Sequence, residues 1–195
     1  HDALPICHYL DEPQFDPIFK ALAEVGQPLY IHPATLPDSM MGDMIHAGLD
    51  GAVFGFGVET SYHLLRLVTT GIFDRYPDLQ IMAGHGLEAL PYWLYRTDFM
   101  HKAGIRSKRY ARLKPLQHDL FHYMRNNFLG TTSGLCWEPA VKLMLEVMGE
   151  DRVMYAMDYP YQYVPEEVQA MDNLAISKEA KKKFFQTNAE RWFKL

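Results

Sequence analysis

Three short apolar runs in this chain each stop at a residue able to bind a metal ion or move a proton: Pro28–Ile31 before His32, Leu79–Ala83 before Gly84 and His85, and Arg152–Met157 before Asp158. Runs of this length read as buried strands. When such strands lie parallel, as in an α/β barrel, their C-terminal ends share one face. Residues far apart in the sequence then converge there on one ion and one substrate.

The segments between the runs are helical. Phe15, Ile18, Phe19, Leu22 and Val25 recur at helical spacing from Glu12 to Val25, and Gly26 follows where a helix end favours positive φ. Residues 38–50 carry a weak helical pattern. Thr60–Thr70 carries a cleaner one, closed by Gly71. Further helices are expected over Glu88–His101, Pro115–Arg125, Glu138–Met148, 165–173 and 177–193, with a further strand over Asn127–Thr131. Strands alternating with helices argue for βαβ units and a parallel sheet. Four strands in 195 residues are about half of an eight-stranded barrel, which needs roughly 250 residues. The alternatives are a barrel with half supplied elsewhere or a smaller open sheet. The opening residues His1–Leu10 read as the end of a strand running into a loop, as if the chain started mid-fold.

Composition narrows the function classes. A hydrophobic content of 48% with 22% charged residues is ordinary for one globular domain, here residues 1–195. A net charge of −5 gives no general attraction to nucleic acid or anionic lipid. The apolar runs fall far short of the roughly 20 residues that cross a bilayer. Two cysteines, Cys7 and Cys136, with no secretory leader before them, point to a reducing, cytoplasmic interior.

Each strand-end residue admits two readings. His32, held extended by Pro33, serves as a metal ligand or as a half-buried histidine bonded to a carbonyl. Asp158 ligates a metal and carries a proton, or caps a helix. His85, bracketed by Gly84 and Gly86, has Glu88 three residues on. That carboxylate either holds one imidazole tautomer for proton transfer or simply favours a helix start. Thr131-Thr-Ser-Gly134 binds a substrate oxygen or forms a turn. His8, His46, His63, His101, His118 and His122 read as surface or packing residues. The basic run from Lys102 to Lys114 leads an anionic substrate to a cleft or, the plainer reading, is a solvated loop.

Taken together, Tyr30-Ile-His-Pro33, Val58-Glu-Thr60 with His63–Leu67, Gly71–Pro77, Gly84-His-Gly-Leu-Glu-Ala-Leu-Pro91, Thr131–Gly134, Asp158-Tyr-Pro160 and Asn188–Leu195 resemble the metal-dependent aromatic-acid decarboxylases of the amidohydrolase superfamily. The likeness is to the γ-resorcylate and 2,3-dihydroxybenzoate decarboxylases, and it runs in order from about Tyr9 to Leu195. It implies a (β/α)8 TIM barrel of the amidohydrolase type, with about the C-terminal half in this chain. It also implies a divalent metal ion, zinc or manganese, held by His32 and Asp158, and proton transfer by Asp158, His85 and Glu88. The implied partners are a small aromatic carboxylic acid substrate and a second copy of the chain or the missing barrel half. An acid-x-His metal-binding pair after the first barrel strand has no counterpart here. Gly86-Leu87 stands where the family has Met-Gly, and Tyr161-Gln162 where it has Phe-Glu. Lactone or amide hydrolysis by the same ligand set, or an incomplete scaffold, are the alternative readings.

Overall fold

The structure, a computed structural model, describes residues 8–195. Cys7 and the part of the expected strand end that falls on residues 1–7 lie outside the described residues. Four strands, β1 (Leu29–Ile31), β2 (Ile81–Ala83), β3 (Phe128–Thr131) and β4 (Val153–Met154), form one sheet in the order β1-β2-β3-β4. Every pairing is parallel, with Ile31 opposite Ala83, Ala83 opposite Gly130 and Gly130 opposite Val153. The expected alternation of strand and helix is therefore borne out, and each crossover is helical, as parallel pairing requires. Among the described residues β1 and β4 each have a strand on one side only.

The pleat divides the side chains between two environments. Ile31, Ile81, Ala83, Phe128 and Val153 face the helical layer and join its core with Leu64, Leu67, Ile72 and Phe184. Met82, Leu129 and Met154 are buried on the other face with Ala189 and Trp192 against them. Tyr30, on the β1 edge of that second face, is 47% exposed.

Asparagines tie the strand starts together. Asn127 Nδ2 donates to the carbonyls of Pro77 and Leu79 at 2.8 and 3.0 Å. Asn188 Nδ2 donates to those of Glu150 and Val153 at 2.7 and 3.0 Å. Both are buried, so each satisfies polar backbone that would otherwise lie unpaired.

Several helix boundaries move relative to the sequence pattern. Helix Gly55–Thr69 starts before Thr60, because residues 55–60 continue the buried stripe of His63, Leu64 and Leu67. Helix Leu120–Asn126 starts five residues later than Pro115; Asp119 caps it, accepting from His122 N at 2.8 Å. The closing helix is interrupted by a π turn over Lys183–Thr187. There the Phe184 carbonyl accepts from Tyr155 N at 2.8 Å, extending the contact beyond β4.

The largest departure is at Glu88, where a right-handed helix is expected to begin. The helix instead spans Leu90–Ser107, and His85, Gly86, Leu87, Glu88 and Ala89 all have φ between 49° and 65°, forming a left-handed turn. Such a conformation costs about 1–2 kcal/mol for each non-glycine residue. Leu87 is fully buried and anchors the turn in the core. A Cβ at Gly130 would lie 2.5 Å from Leu87 Cδ1 and 2.8 Å from Met144 Cε, so a larger residue in β3 would force these side-chain ends to shift. Gly130→Ala should destabilise the chain by about 1–3 kcal/mol in urea unfolding. Gly51→Ala, where nothing lies within 4 Å, should change little, and equal effects would contradict this wedge.

Candidate active site

The C-terminal ends of the four parallel strands deliver the sequence-predicted residues to one end of the sheet. His32 follows β1 in phase with Tyr30. His85 follows β2 by way of Gly84, Ser133 lies two residues beyond β3, and Asp158 lies beyond β4.

The left-handed turn gives His85 and Glu88 a common side. His85 Nδ1 lies 2.7 Å from Glu88 Oε1, so the proton on Nδ1 is donated to the carboxylate and Nε2 faces outward. That nitrogen points at Asp158, with Nε2 to Oδ2 3.8 Å. Glu88 raises the pKa of the imidazole above its ordinary value; burial opposes the shift and the Asp158 charge adds to it. The dipole reading of Glu88 therefore gives way to direct pairing with His85.

Asp158 caps no helix, since the next one starts at Pro165. Its backbone is left-handed, with φ 74°, and Oδ1 accepts from Ser133 Oγ at 3.1 Å, leaving Oδ2 toward His85. The Thr131–Gly134 segment both turns the chain and bonds, for Thr131 Oγ1 lies 2.9 Å from Tyr30 Oη and Thr132 Oγ1 lies 2.6 Å from the Ala156 carbonyl. The turn reading holds, with Leu135 N donating to the Thr132 carbonyl at 2.9 Å.

His32 is exposed, and its Nδ1 lies 2.8 Å from the Pro33 carbonyl. The carbonyl half of the packing reading is present without the burial. That bond fixes the protonated nitrogen and leaves Nε2 with a free lone pair, the arrangement that orients a metal-bound histidine. Among the described residues, no three His, Cys, Asp or Glu side chains gather closely enough to hold an ion by themselves. The donor types of His32 and Asp158 suit a divalent metal, but they amount to part of a coordination shell.

Glu59 is a buried carboxyl that carries no role in the sequence reading, although its place on the buried stripe of helix Gly55–Thr69 marks it. It is 1% exposed and accepts from Ala34 N, just beyond His32, at 3.4 Å. Burial, with Glu88 as a like charge nearby, raises its pKa. Its Oε1 has no hydrogen-bond partner and sits 3.9 Å from His63 Nδ1. His63 Nε2 accepts from Leu10 N at 3.3 Å, which keeps the ring neutral. Burial, partly offset by Asp11 and reinforced by Arg66, lowers the His63 pKa to about 4. The unfolded chain therefore binds the extra proton first, so stability contributed by neutral His63 is present above pH 6.5 and is lost as pH falls toward 4. His63→Gln should remove on the order of 1–2 kcal/mol of the stability difference between pH 7 and pH 5 in urea titrations. An unchanged difference would show that His63 titrates normally.

Known proteins resemble this chain along nearly its whole length. Residues 6–195 match the Amidohydrolase family. Over 195 residues the chain is 33% identical to a γ-resorcylate decarboxylase from Polaromonas sp., covering 99% of this chain and 58% of that protein. A solved 5-carboxyvanillate decarboxylase from Novosphingobium aromaticivorans, complexed with manganese and 4-hydroxy-3-methoxy-5-nitrobenzoic acid, is 69% identical; the match has TM-score 0.94 and covers 96% of this chain and 53% of that one. A 2,6-dihydroxybenzoate decarboxylase from Rhizobium is 29% identical with TM-score 0.84, covering 95% of this chain and 57% of that one. The chain thus spans a little over half the length of these proteins.

Proposed function

The chain belongs to the amidohydrolase family, and we propose that it is the C-terminal part of a (β/α)8 barrel whose complete form removes carbon dioxide from a hydroxybenzoate without oxidation. The observation that carries this reading is the approach of Asp158 to a His85 already paired with Glu88, at the same strand ends that carry His32 with one nitrogen free. The similar proteins being decarboxylases, we prefer carbon–carbon cleavage to lactone or amide hydrolysis. Residues 1–195 act as one domain, and we place the protein in the cytoplasm; no helix among the described residues is long and apolar enough to cross a membrane.

His32 and Asp158 would hold a divalent ion, manganese by similarity to the solved structure that contains it. When bound, the ion supplies positive charge that orients the carboxylate and neighbouring hydroxyl oxygens of the substrate. The chain's own residues manage the proton. Glu88 holds the His85 ring with Nε2 toward Asp158, and Asp158, assisted by His85, delivers a proton to the ring carbon that bears the carboxylate. The bond from that carbon to the carboxylate then breaks, its electron pair returns to the ring, and carbon dioxide leaves.

The remaining ligands come from an acid-x-His segment of the missing half, or from a partner chain. The one-sided edges of β1 and β4 support association, because parallel strands are normally covered or paired. So does the aromatic face of helix Leu90–Ser107, where Tyr92, Tyr95 and Phe99 are each more than half exposed. We therefore expect a homo-oligomer or a complex with that half.

With manganese and the complementing segment present, the protein should release carbon dioxide from a hydroxybenzoate. His85→Asn should lower turnover by about 10²–10⁴-fold while leaving metal content unchanged. Full turnover in that variant would remove His85 from the reaction. The absence of three gathered ligands among the described residues favours one competing reading, an incomplete scaffold. Undetectable metal in the complemented protein, by elemental analysis, would support the scaffold.

A further inference from the structure

The loops after β3 and β4 each hold a non-glycine residue in left-handed backbone, Ser133 at φ 35° and Asp158 at φ 74°. Their side chains meet, Ser133 Oγ donating to Asp158 Oδ1 at 3.1 Å. Residues in this conformation persist only where their surroundings over-determine them. Hydrogen bonds from Thr132 reach the chain at Ala156, before Asp158, and so leave the later part of both loops to be held by something else.

Gln162 occupies that place. Its backbone N donates to the Asp158 carbonyl at 3.0 Å. Its Nε2 donates to the Gly134 carbonyl at 3.0 Å and to Glu167 Oε1 and Oε2, both at 2.9 Å. An amide nitrogen has two protons, so one serves the β3 loop and the other the carboxylate at the start of helix Pro165–Asp172. The amide performs both tasks, and a carboxylate of the same length performs neither. A carboxylate at position 162 would face the Gly134 carbonyl without a proton to donate and would lie against the Glu167 charge.

We propose that Gln162 is a positioning residue whose side-chain amide clamps the β3 loop to the β4 loop and thereby sets the Ser133–Asp158 pair. The clamp itself rests on the hydrogen bonds. Its consequence for metal binding rests on the functional reading of Asp158 given above.

The test is hydrogen exchange by mass spectrometry on the full chain, comparing wild type, Gln162→Glu, the exchanged pair Gln162→Glu with Glu167→Gln, and Glu166→Gln as a charge-change control at an exposed neighbour. Gln162→Glu should raise exchange over residues 131–137 and 158–163 by about tenfold to a hundredfold, the effect of losing hydrogen bonds of this kind, while helix Gly55–Thr69 stays protected. The exchanged pair restores a 162–167 bond but not the bond to Gly134, so it should quiet 158–163 and leave 131–137 fast. Wild-type exchange over 131–137 in Gln162→Glu, or an equal rise in Glu166→Gln, would overturn the proposal. If Gln162→Glu loses protection throughout, Gln162→Met, which keeps the length without the amide, takes its place under the same expectations. Manganese titration by calorimetry, with the complementing segment present, adds a separate readout. About tenfold weaker binding in a folded variant supports the effect on Asp158 and equal binding refutes it; a wild type that binds no manganese contradicts the metal reading and leaves the exchange result to decide the clamp.

Discussion

The site depends on Leu87 being held in the core beneath a left-handed turn. Four non-glycine residues from His85 to Ala89 adopt positive φ, at a cost of about 1–2 kcal/mol each, and burial of one leucine offsets about 1.5–3 kcal/mol of that. The rest must come from neighbours that fit closely, as at Gly130, where a Cβ would press on the side-chain ends of Leu87 and Met144. With the turn secured, His85 and Glu88 lie on one side and the imidazole is oriented before any ligand arrives. Core packing thus sets the direction of His85 Nε2.

Around that turn, a division of labour runs along the strands. Their starts are tied by Asn127, Asn188 and Arg152, whose guanidinium donates to Gln80 Oε1 at 2.8 Å and the Phe128 carbonyl at 3.0 Å. Their ends carry strained backbone and titratable side chains. Parallel βα architectures place stability at one end and chemistry at the other, and the titratable side chains His85 and Asp158 of this sheet lie beyond its C-terminal strand ends. The buried Glu59, reaching the backbone just past His32 from helix Gly55–Thr69, extends the polar region beneath the site.

Much of this was legible in the sequence because period and punctuation speak directly about parallel βα structure. The strand runs ending at His32, His85 and Asp158 are single-chain signals of adjacency on one face. The left-handed turn was not legible: Gly84 and Gly86 signal freedom, but five consecutive positive φ values depend on a tertiary pocket for Leu87. Nor did the capping reading of Asp158 survive, because the preference of aspartate for helix starts is local while its partners Ser133 and His85 belong to other loops. Gln162 stood out in the sequence only as a departure from the resembled pattern. Its hydrogen bonds to Gly134 and Glu167 give that departure a physical setting. Asn188 lay within a recognised closing motif, yet its work on the carbonyls around β4 appears only once the closing helix is folded back.

The account turns on His32 and Asp158 sharing one ion beside His85. Crystals of the full chain with its complementing segment, grown with manganese and measured for anomalous scattering, address this directly. A single manganese peak within about 2.0–2.3 Å of His32 Nε2 and of an Asp158 carboxylate oxygen is the result predicted. A manganese ion bound elsewhere, with His32 Nε2 and Asp158 both free of it, would contradict the account.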